Sequence, residues 1–132
     1  PNNNRSQLIE KNSNKIILDA YNANPSSMVA ALTNFFQLEE KNKIAILGDM
    51  FELGPEAAAQ HLLVAKLAFE NQIDNVIFIG KNFYQFKDQF GGKFFENPTE
   101  AKTYLTDHPI KESLVLLKGS RGMALEQLLP LL

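Results

Sequence analysis

The chain has 132 residues, 45% of them hydrophobic, with 13 Lys and Arg against 15 Asp and Glu. This length and apolar content suit one globular domain with its own core and exclude a disordered or fibrous protein. The net charge of −2 provides no basic surface, so we expect neither nucleic-acid nor membrane-surface binding. Cysteine is absent, which excludes disulfides and zinc–thiolate sites, and no metal site is predicted.

No apolar run approaches the ~20 residues that span a bilayer, and no signal peptide opens the chain. The sequence therefore predicts a soluble, cytoplasmic protein without membrane insertion. The chain starts at Pro1 rather than at a methionine, and its first four residues are typical of a linker. We expect residues 1–132 to form one domain of a larger protein.

Apolar runs of strand length alternate with longer segments of helical period along the chain. This alternation predicts an α/β fold in which helices cover both faces of a mostly parallel sheet. A polar turn at residues 12–14 separates the first two runs, which predicts one antiparallel edge strand. The six predicted strands are Arg5–Lys11, Lys15–Tyr21, Lys43–Leu47, Asn75–Ile79, Lys93–Glu96 and Ser113–Leu117. The predicted fold is therefore Rossmann-like, with three layers.

The segments that follow the later strands have the spacing of amphipathic helices. Proline follows Asn24, Gly54 and Asn97, where a first helical position needs no backbone N–H. The five predicted helices are Pro25–Glu39, Pro55–Asn71, Asn82–Phe90, Thr99–Thr106 and Met123–Leu131.

Polar residues collect directly after four of the predicted strands. In doubly wound sheets, ligands bind outside the carboxyl ends of the strands. The four clusters are DAYNANPSS at 19–27, GDMFELG at 48–54, GKN at 80–82 and KGSRG at 118–122. We expect all four to lie on one rim of the sheet.

Each cluster also has a purely structural interpretation. Asn24 before Pro25 is an ordinary helix cap, which is compatible with a helix N-terminus that faces an anion. Asp19 and Asp49 are equally compatible with turn residues. His61 lies in the apolar stripe of its helix, where a packed, hydrogen-bonded histidine is common. The cluster at 118–122 is compatible with a solvated turn.

The glycines do not form a phosphate-binding loop. Pro55 and Glu56 follow Gly54 where such a loop requires Lys and Ser or Thr, and no G-x-G-x-x-G string follows a strand. The sequence therefore predicts that this domain does not hold nucleotide phosphates through a glycine-rich loop.

Three strings, in this order and at these separations, resemble the C-terminal domain of the Mur ligases over nearly the whole chain. They are DAYNANPSSM at 19–28, GDMFELG at 48–54 with His61 seven residues on, and KGSR at 118–121. Three motifs in register are far more specific than one. Within the family, the strings are most similar to the members that add D-Ala-D-Ala.

The resemblance implies an ATP-dependent ligase of peptidoglycan precursor synthesis. In that reaction, the terminal carboxylate of a UDP-N-acetylmuramoyl-tripeptide takes the γ-phosphoryl group of ATP. The amine of D-Ala-D-Ala then attacks the acyl phosphate. The family's phosphate loop, carbamylated lysine and Mg²⁺ ligands belong to a central domain. The implied partners are therefore the N-terminal and central domains of the same enzyme, and the isolated chain is expected to be inactive.

The resemblance also implies roles for individual residues. For catalysis, the resemblance implies two residues, Lys118 and Arg5. Arg5 would approach the ATP phosphates. Asp19 would hold the ribose hydroxyls. The implied nucleotide-binding residues are Arg5, Asp19, Tyr21, Asn22 and Asn24. The residues implied to frame D-Ala-D-Ala are Asp49, Glu52, His61, Lys118, Ser120 and Arg121.

Two other classes of protein remain open from the residues. A phospho-receiver domain of a signalling pathway has this length and fold class and carries Asp and Lys at strand ends. It would have an acidic pair after its first strand, where this chain has Asp19 and Ala20. The same domain of another Mur ligase, or of a folylpolyglutamate-type ligase, is the second alternative.

Overall fold

The computed structural model describes residues 6–71 and 75–132. Within them, six strands form one sheet: β1 Gln7–Lys11, β2 Asn14–Asp19, β3 Lys43–Gly48, β4 Val76–Ile79, β5 Lys93–Phe95 and β6 Leu114–Lys118. Their spatial order is β1-β2-β6-β3-β4-β5. The β1–β2 pair is antiparallel and the other four pairs are parallel. The predicted mostly parallel sheet with an antiparallel edge is confirmed.

Helices cover both faces of this sheet. They are α1 Pro25–Gln37, α2 Ala57–Glu70, α3 Lys81–Tyr84 and α4 Pro98–Asp107. The first three pack on one face, whereas α4 and a 3₁₀ segment at Leu125–Leu131 pack on the other. This confirms the three-layer architecture. In the described parts of the chain, no helix is both long enough and apolar enough to cross a membrane.

The central strands are buried on both faces because their side chains alternate between the two helix layers. In β6, Leu116 joins the core under α1 and α2, while Val115 and Leu117 join the core under α4. In β3, Ala45 and Ile46 divide in the same way. Nearly continuous apolar strands of this kind are typical of parallel sheets covered on both sides.

Two helices begin at the caps that the sequence predicts. The side chain of Asn24 accepts the N–H of Ser27 at 2.9 Å, and the Ser27 hydroxyl reaches the Asn24 N–H at 3.0 Å. This reciprocal pair satisfies two N–H groups at the start of α1. Asn97 caps α4 through the N–H of Glu100 at 2.9 Å.

Three predicted helices differ from the observed ones. The segment predicted from Pro55 begins as a 3₁₀ turn at Gly54–Glu56, because Gly54 takes a positive φ of 58°. The segment predicted at Asn82–Phe90 is helical only at Lys81–Tyr84 and continues in tighter i→i+3 turns. The last predicted helix is a 3₁₀ segment, which follows left-handed Ala124 and contains Pro130. Proline lacks the N–H that a continuing α-helix requires.

Candidate functional site

The four polar clusters lie at the carboxyl ends of β2, β6, β3 and β4. These strands are neighbours in the sheet and run parallel, so their carboxyl ends meet at one edge. The loops after β3 and β6 approach closely, since a Cβ on Gly119 would come within 2.9 Å of the Gly48 Cα. The predicted common rim is confirmed as a structural arrangement.

The chain segments that leave the strands of this rim diverge beside β6. The chain leaves β2 toward α1 on one face of the sheet, while it leaves β6 toward the 3₁₀ segment on the other face. Adjacent parallel strands whose connections diverge in this way form a topological switch point, where ligands bind in such folds. The same divergence occurs between β6 and β3, which leads to α2, so the rim on both sides of β6 is the candidate site.

An ion pair joins β2 to β6 at this switch point. Asp19 stands opposite Lys118 in the parallel register, and the Lys118 Nζ lies 2.9 Å from Asp19 Oδ2. Lys118 also donates to the carbonyl of Asn22 at 3.2 Å. The Lys118 side chain is 2% exposed and that of Asp19 is 17% exposed. Lys118 is thus a buried cation, not a free one, and its ligand-binding role stays a prediction.

Ser120 connects three rim segments through its backbone and hydroxyl. Its N–H donates to the Asp49 carbonyl at 3.0 Å, and its Oγ accepts the Phe51 N–H at 2.8 Å. The same hydroxyl donates to the Ala23 carbonyl at 3.4 Å. Because these bonds reach the loops after β2 and β3, Ser120 fixes their separation. The residue is buried, and its predicted contact with a ligand is not tested.

Asp49 follows β3 directly and is 4% exposed. Its carboxylate accepts the backbone N–H groups of Asn82 at 2.9 Å and Phe83 at 3.1 Å, and the Asn82 amide at 3.2 Å. Burial raises the pKa of Asp49 above its usual range, while these N–H donors oppose the rise. Asp49 anchors the loop after β3 to the start of α3, and its predicted contact with D-Ala-D-Ala stays a prediction.

His61 is fully buried beneath the same loop. Its Nε2 lies 2.9 Å from the Met50 N–H, and its Nδ1 lies 2.7 Å from the Ala57 carbonyl. The first contact requires an acceptor and the second a donor, so the ring is neutral and protonated at Nδ1. Burial lowers the pKa of His61. The structure therefore shows a packed, hydrogen-bonded histidine, and its predicted contact with D-Ala-D-Ala is not tested.

Two aromatic rings and a guanidinium lie on the exposed part of the rim. Tyr21 is 45% exposed and Phe51 is 42% exposed. The Arg121 guanidinium lies over the Tyr21 ring, with its Cζ 5.1 Å from the centroid, and the Phe51 ring packs on Gly122. Such a cation–π contact holds an exposed arginine in a preferred place. These three side chains are therefore accessible from solvent on the rim.

Glu52 continues this exposed surface in an unusual backbone conformation. Its φ is 64°, in the left-handed region that residues other than glycine rarely adopt. The hydrogen bonds on either side of the loop hold this conformation, which is a feature common at functional sites. Phe51 and the strained backbone at Glu52 are features that the sequence did not predict.

Arg5, predicted to approach ATP phosphates, lies outside the described residues. Asn22 contributes its carbonyl to Lys118, and the Asn24 side chain is used in the α1 cap. Among the residues that the structure describes, no three His, Asp or Glu side chains cluster as a metal site would require. Asp19, the acid at the end of β2, is engaged by Lys118.

A comparison with protein-family models shows to which family the fold and the motifs belong. The model described as "Mur ligase, glutamate ligase domain" matches residues 4–121. This chain belongs to the Mur ligase family. That match decides against a phospho-receiver domain, as does the inward-facing carboxylate of Asp49.

Individual Mur ligases match the same region. The chain is 39% identical over 123 residues to the UDP-N-acetylmuramoyl-tripeptide–D-alanyl-D-alanine ligase of Treponema pallidum, covering 88% of this chain and 27% of that protein. It is 34% identical over 128 residues to the ligase of the same name from Rickettsia prowazekii, covering 94% and 28%. The chain therefore spans less than a third of these relatives.

A solved Mur ligase structure has the same fold. Crystal structure I of MurF from Acinetobacter baumannii superposes with a TM-score of 0.84 at 28% identity, covering 98% of this chain and 30% of that one. The Mur ligase C-terminal domain fold is thus reproduced over almost all of this chain.

Proposed function

We propose that this chain is the C-terminal domain of a larger, cytoplasmic, ATP-dependent ligase that joins D-Ala-D-Ala to UDP-N-acetylmuramoyl-tripeptide. The observation that carries the proposal is the family match over residues 4–121 together with relatives that bear this enzyme's name. Because the chain spans 28% of the Rickettsia relative, the remaining domains would supply the rest of the active site.

The reaction would proceed in two balanced steps. The tripeptide's terminal carboxylate oxygen attacks the γ-phosphorus of ATP, which forms an acyl phosphate and releases ADP. The neutral amine nitrogen of D-Ala-D-Ala then attacks the acyl carbon, the bond from that carbon to the phosphate oxygen breaks, and phosphate leaves. The nitrogen gives up one proton to solvent and keeps the other as the amide N–H. Positioning and charge neutralisation dominate the catalysis of phosphoryl transfer. A rim that closes over a phosphate site on another domain suits both needs, and Arg5 would arrive with it. Mg²⁺ ligands would come mainly from that other domain.

The β2 side of the rim would meet the nucleotide. Asp19 stands at the switch point with Tyr21, Asn22 and Asn24 in the loop that follows, and this is where doubly wound folds bind nucleotides. Lys118 would act here by holding the Asp19 carboxylate in place. Its buried position supports an indirect contribution to catalysis.

The exposed aromatic side of the rim would meet D-Ala-D-Ala. The dipeptide carries two methyl groups and a terminal carboxylate. Phe51 offers apolar surface for the methyl groups, and the Arg121 guanidinium suits the carboxylate because it can donate two parallel hydrogen bonds. Glu52 stands beside this surface, where its carboxylate would be near the reacting amine. Asp49, His61 and Ser120 lie beneath it and hold the loops.

Arg121→Ala is expected to raise the KM for D-Ala-D-Ala about 10- to 100-fold, since hydrogen bonds to a charged group contribute about 1.5–3 kcal/mol. The KM for ATP should change far less. Both constants are measured from ADP release by the full-length protein that carries this chain. Lys81→Ala is the matched control, because it removes an exposed cation from the same rim. Equal increases in the two KM values for Arg121→Ala would show that the acceptor surface is elsewhere.

A further inference from the structure

The loop after β3 carries exposed side chains but is fastened from below. Its exposed members are Phe51 and Glu52, and the two residues before them are buried. The Asp49 N–H donates to the Ile79 carbonyl at 3.0 Å. The orientation of the exposed part therefore depends on the hydrogen bonds made by the buried part.

The Met50 N–H is the last buried link before the exposed residues. Met50 has no measurable exposure, so its N–H cannot use water and depends on the Nε2 of His61, 2.9 Å away. The next N–H along the chain, that of Phe51, is held by the Ser120 hydroxyl. Two consecutive backbone groups are thus fixed by side chains from α2 and from the loop after β6.

His61 itself has little freedom to turn. Its Nδ1–H is bound to the Ala57 carbonyl one helical turn earlier, and the Phe83 ring meets it edge-on with centroids 4.7 Å apart. From the loop after β3, Asp49 Oδ1 lies 3.8 Å from Nε2. Among the described residues, Asp49 is the titratable group that acts on the His61 charge. The contacts from α2, α3 and this loop leave one ring orientation.

We propose that His61 is a positioning residue for D-Ala-D-Ala. Through the Met50 N–H it holds the Phe51–Glu52 segment in the conformation that binds this dipeptide. This inference rests on the proposed ligase function and extends it to a residue that does not touch the ligand. Protonation of Nε2 would remove the acceptor and turn it into a donor facing Asp49. The hold on Met50 would then be lost.

The direction of the pH effect follows from burial. Because burial lowers the pKa of His61 from its ordinary value of 6.5, the ring stays neutral in the fold at and above that pH. The link to Met50 is complete at neutral pH and is lost as the pH falls through the lowered pKa. Binding of D-Ala-D-Ala should therefore weaken as the pH falls, whereas ATP binding should change less.

The test compares His61→Leu and His61→Gln in the full-length protein that carries this chain. Leucine removes the acceptor, whereas the glutamine carbonyl can accept the Met50 N–H and does not titrate. His61→Leu is expected to raise the KM for D-Ala-D-Ala about tenfold, the cost of one unsatisfied buried N–H, with the KM for ATP within about twofold. His61→Gln should keep a KM near that of the wild type at about pH 8 and lose the wild type's rise in KM as the pH falls below the ordinary histidine value of 6.5.

His108→Gln is the control, because His108 is exposed and stacks on Tyr104 away from the rim. It should leave both KM values and the pH profile unchanged. Equal changes in both KM values for His61→Leu would overturn the inference. A His61→Gln variant that keeps the wild type's rise in the KM for D-Ala-D-Ala at acid pH would also overturn it. The second criterion decides the matter even if His61→Leu does not fold. If the wild-type protein showed no ADP release that depends on D-Ala-D-Ala, the ligase function would be refuted, and this inference with it.

Discussion

Asp19→Ala is expected to lower the free energy of unfolding by about 3–5 kcal/mol, the range found when one partner of a buried ion pair is removed. The Lys118 ammonium would stay buried, and among the described residues it would keep the Asn22 carbonyl as its one hydrogen-bond acceptor. Removing a partner costs more than the pair itself contributes, since the remaining charge stays buried. Urea unfolding followed by circular dichroism measures this loss.

A double-mutant cycle separates the ion pair from other effects at the same positions. Lys118→Met removes the buried charge and keeps an apolar chain of similar length. The double variant Asp19→Ala with Lys118→Met should recover at least about 2 kcal/mol of the loss expected for Asp19→Ala alone. Additive losses would show that the two side chains do not stabilise each other.

Gly80→Ala is the second change with a large expected effect. The Gly80 backbone has φ 130° and ψ 156°, a conformation that is essentially restricted to glycine and costs other residues about 1–3 kcal/mol. The new Cβ would also overlap the Asp49 carboxylate, which could not move without losing the N–H donors of Asn82 and Phe83. We expect a total destabilisation of about 4 kcal/mol or more, since each unsatisfied buried group adds about 1–3 kcal/mol.

Gly54→Ala is the matched control. Gly54 also has a positive φ, 58°, but open space surrounds the position that its Cβ would occupy. The left-handed backbone alone costs an alanine about 1–2 kcal/mol. If both variants lost the same stability in thermal unfolding, the contact between Gly80 and Asp49 would not matter.

The common rim of the four polar clusters was predictable because it depends on local patterns. Apolar strands followed by polar strings indicate where a parallel sheet collects its functional residues. The Asn24 and Asn97 caps were predictable for the same reason, since each is read within four residues of sequence.

The partners within the site were not predictable, because they depend on strand order. Asp19 and Lys118 are 99 residues apart and meet only because β6 lies between β2 and β3. Asp49 meets Asn82 because β3 lies beside β4 in parallel register. A single sequence shows the polar residues but not these neighbours, so it did not show that side chains predicted to contact ligands also hold loops. The exposed Phe51 was missed because phenylalanine is usually a core residue.

Acceptor choice tests the central proposal most directly. The full-length protein that carries this chain is incubated with ATP, UDP-N-acetylmuramoyl-tripeptide and one acceptor at a time, and ADP release and product mass are measured. Release should require D-Ala-D-Ala, and the product should be the UDP-linked pentapeptide. Release with glutamate or diaminopimelate in place of the dipeptide, and none with D-Ala-D-Ala, would contradict the proposed function.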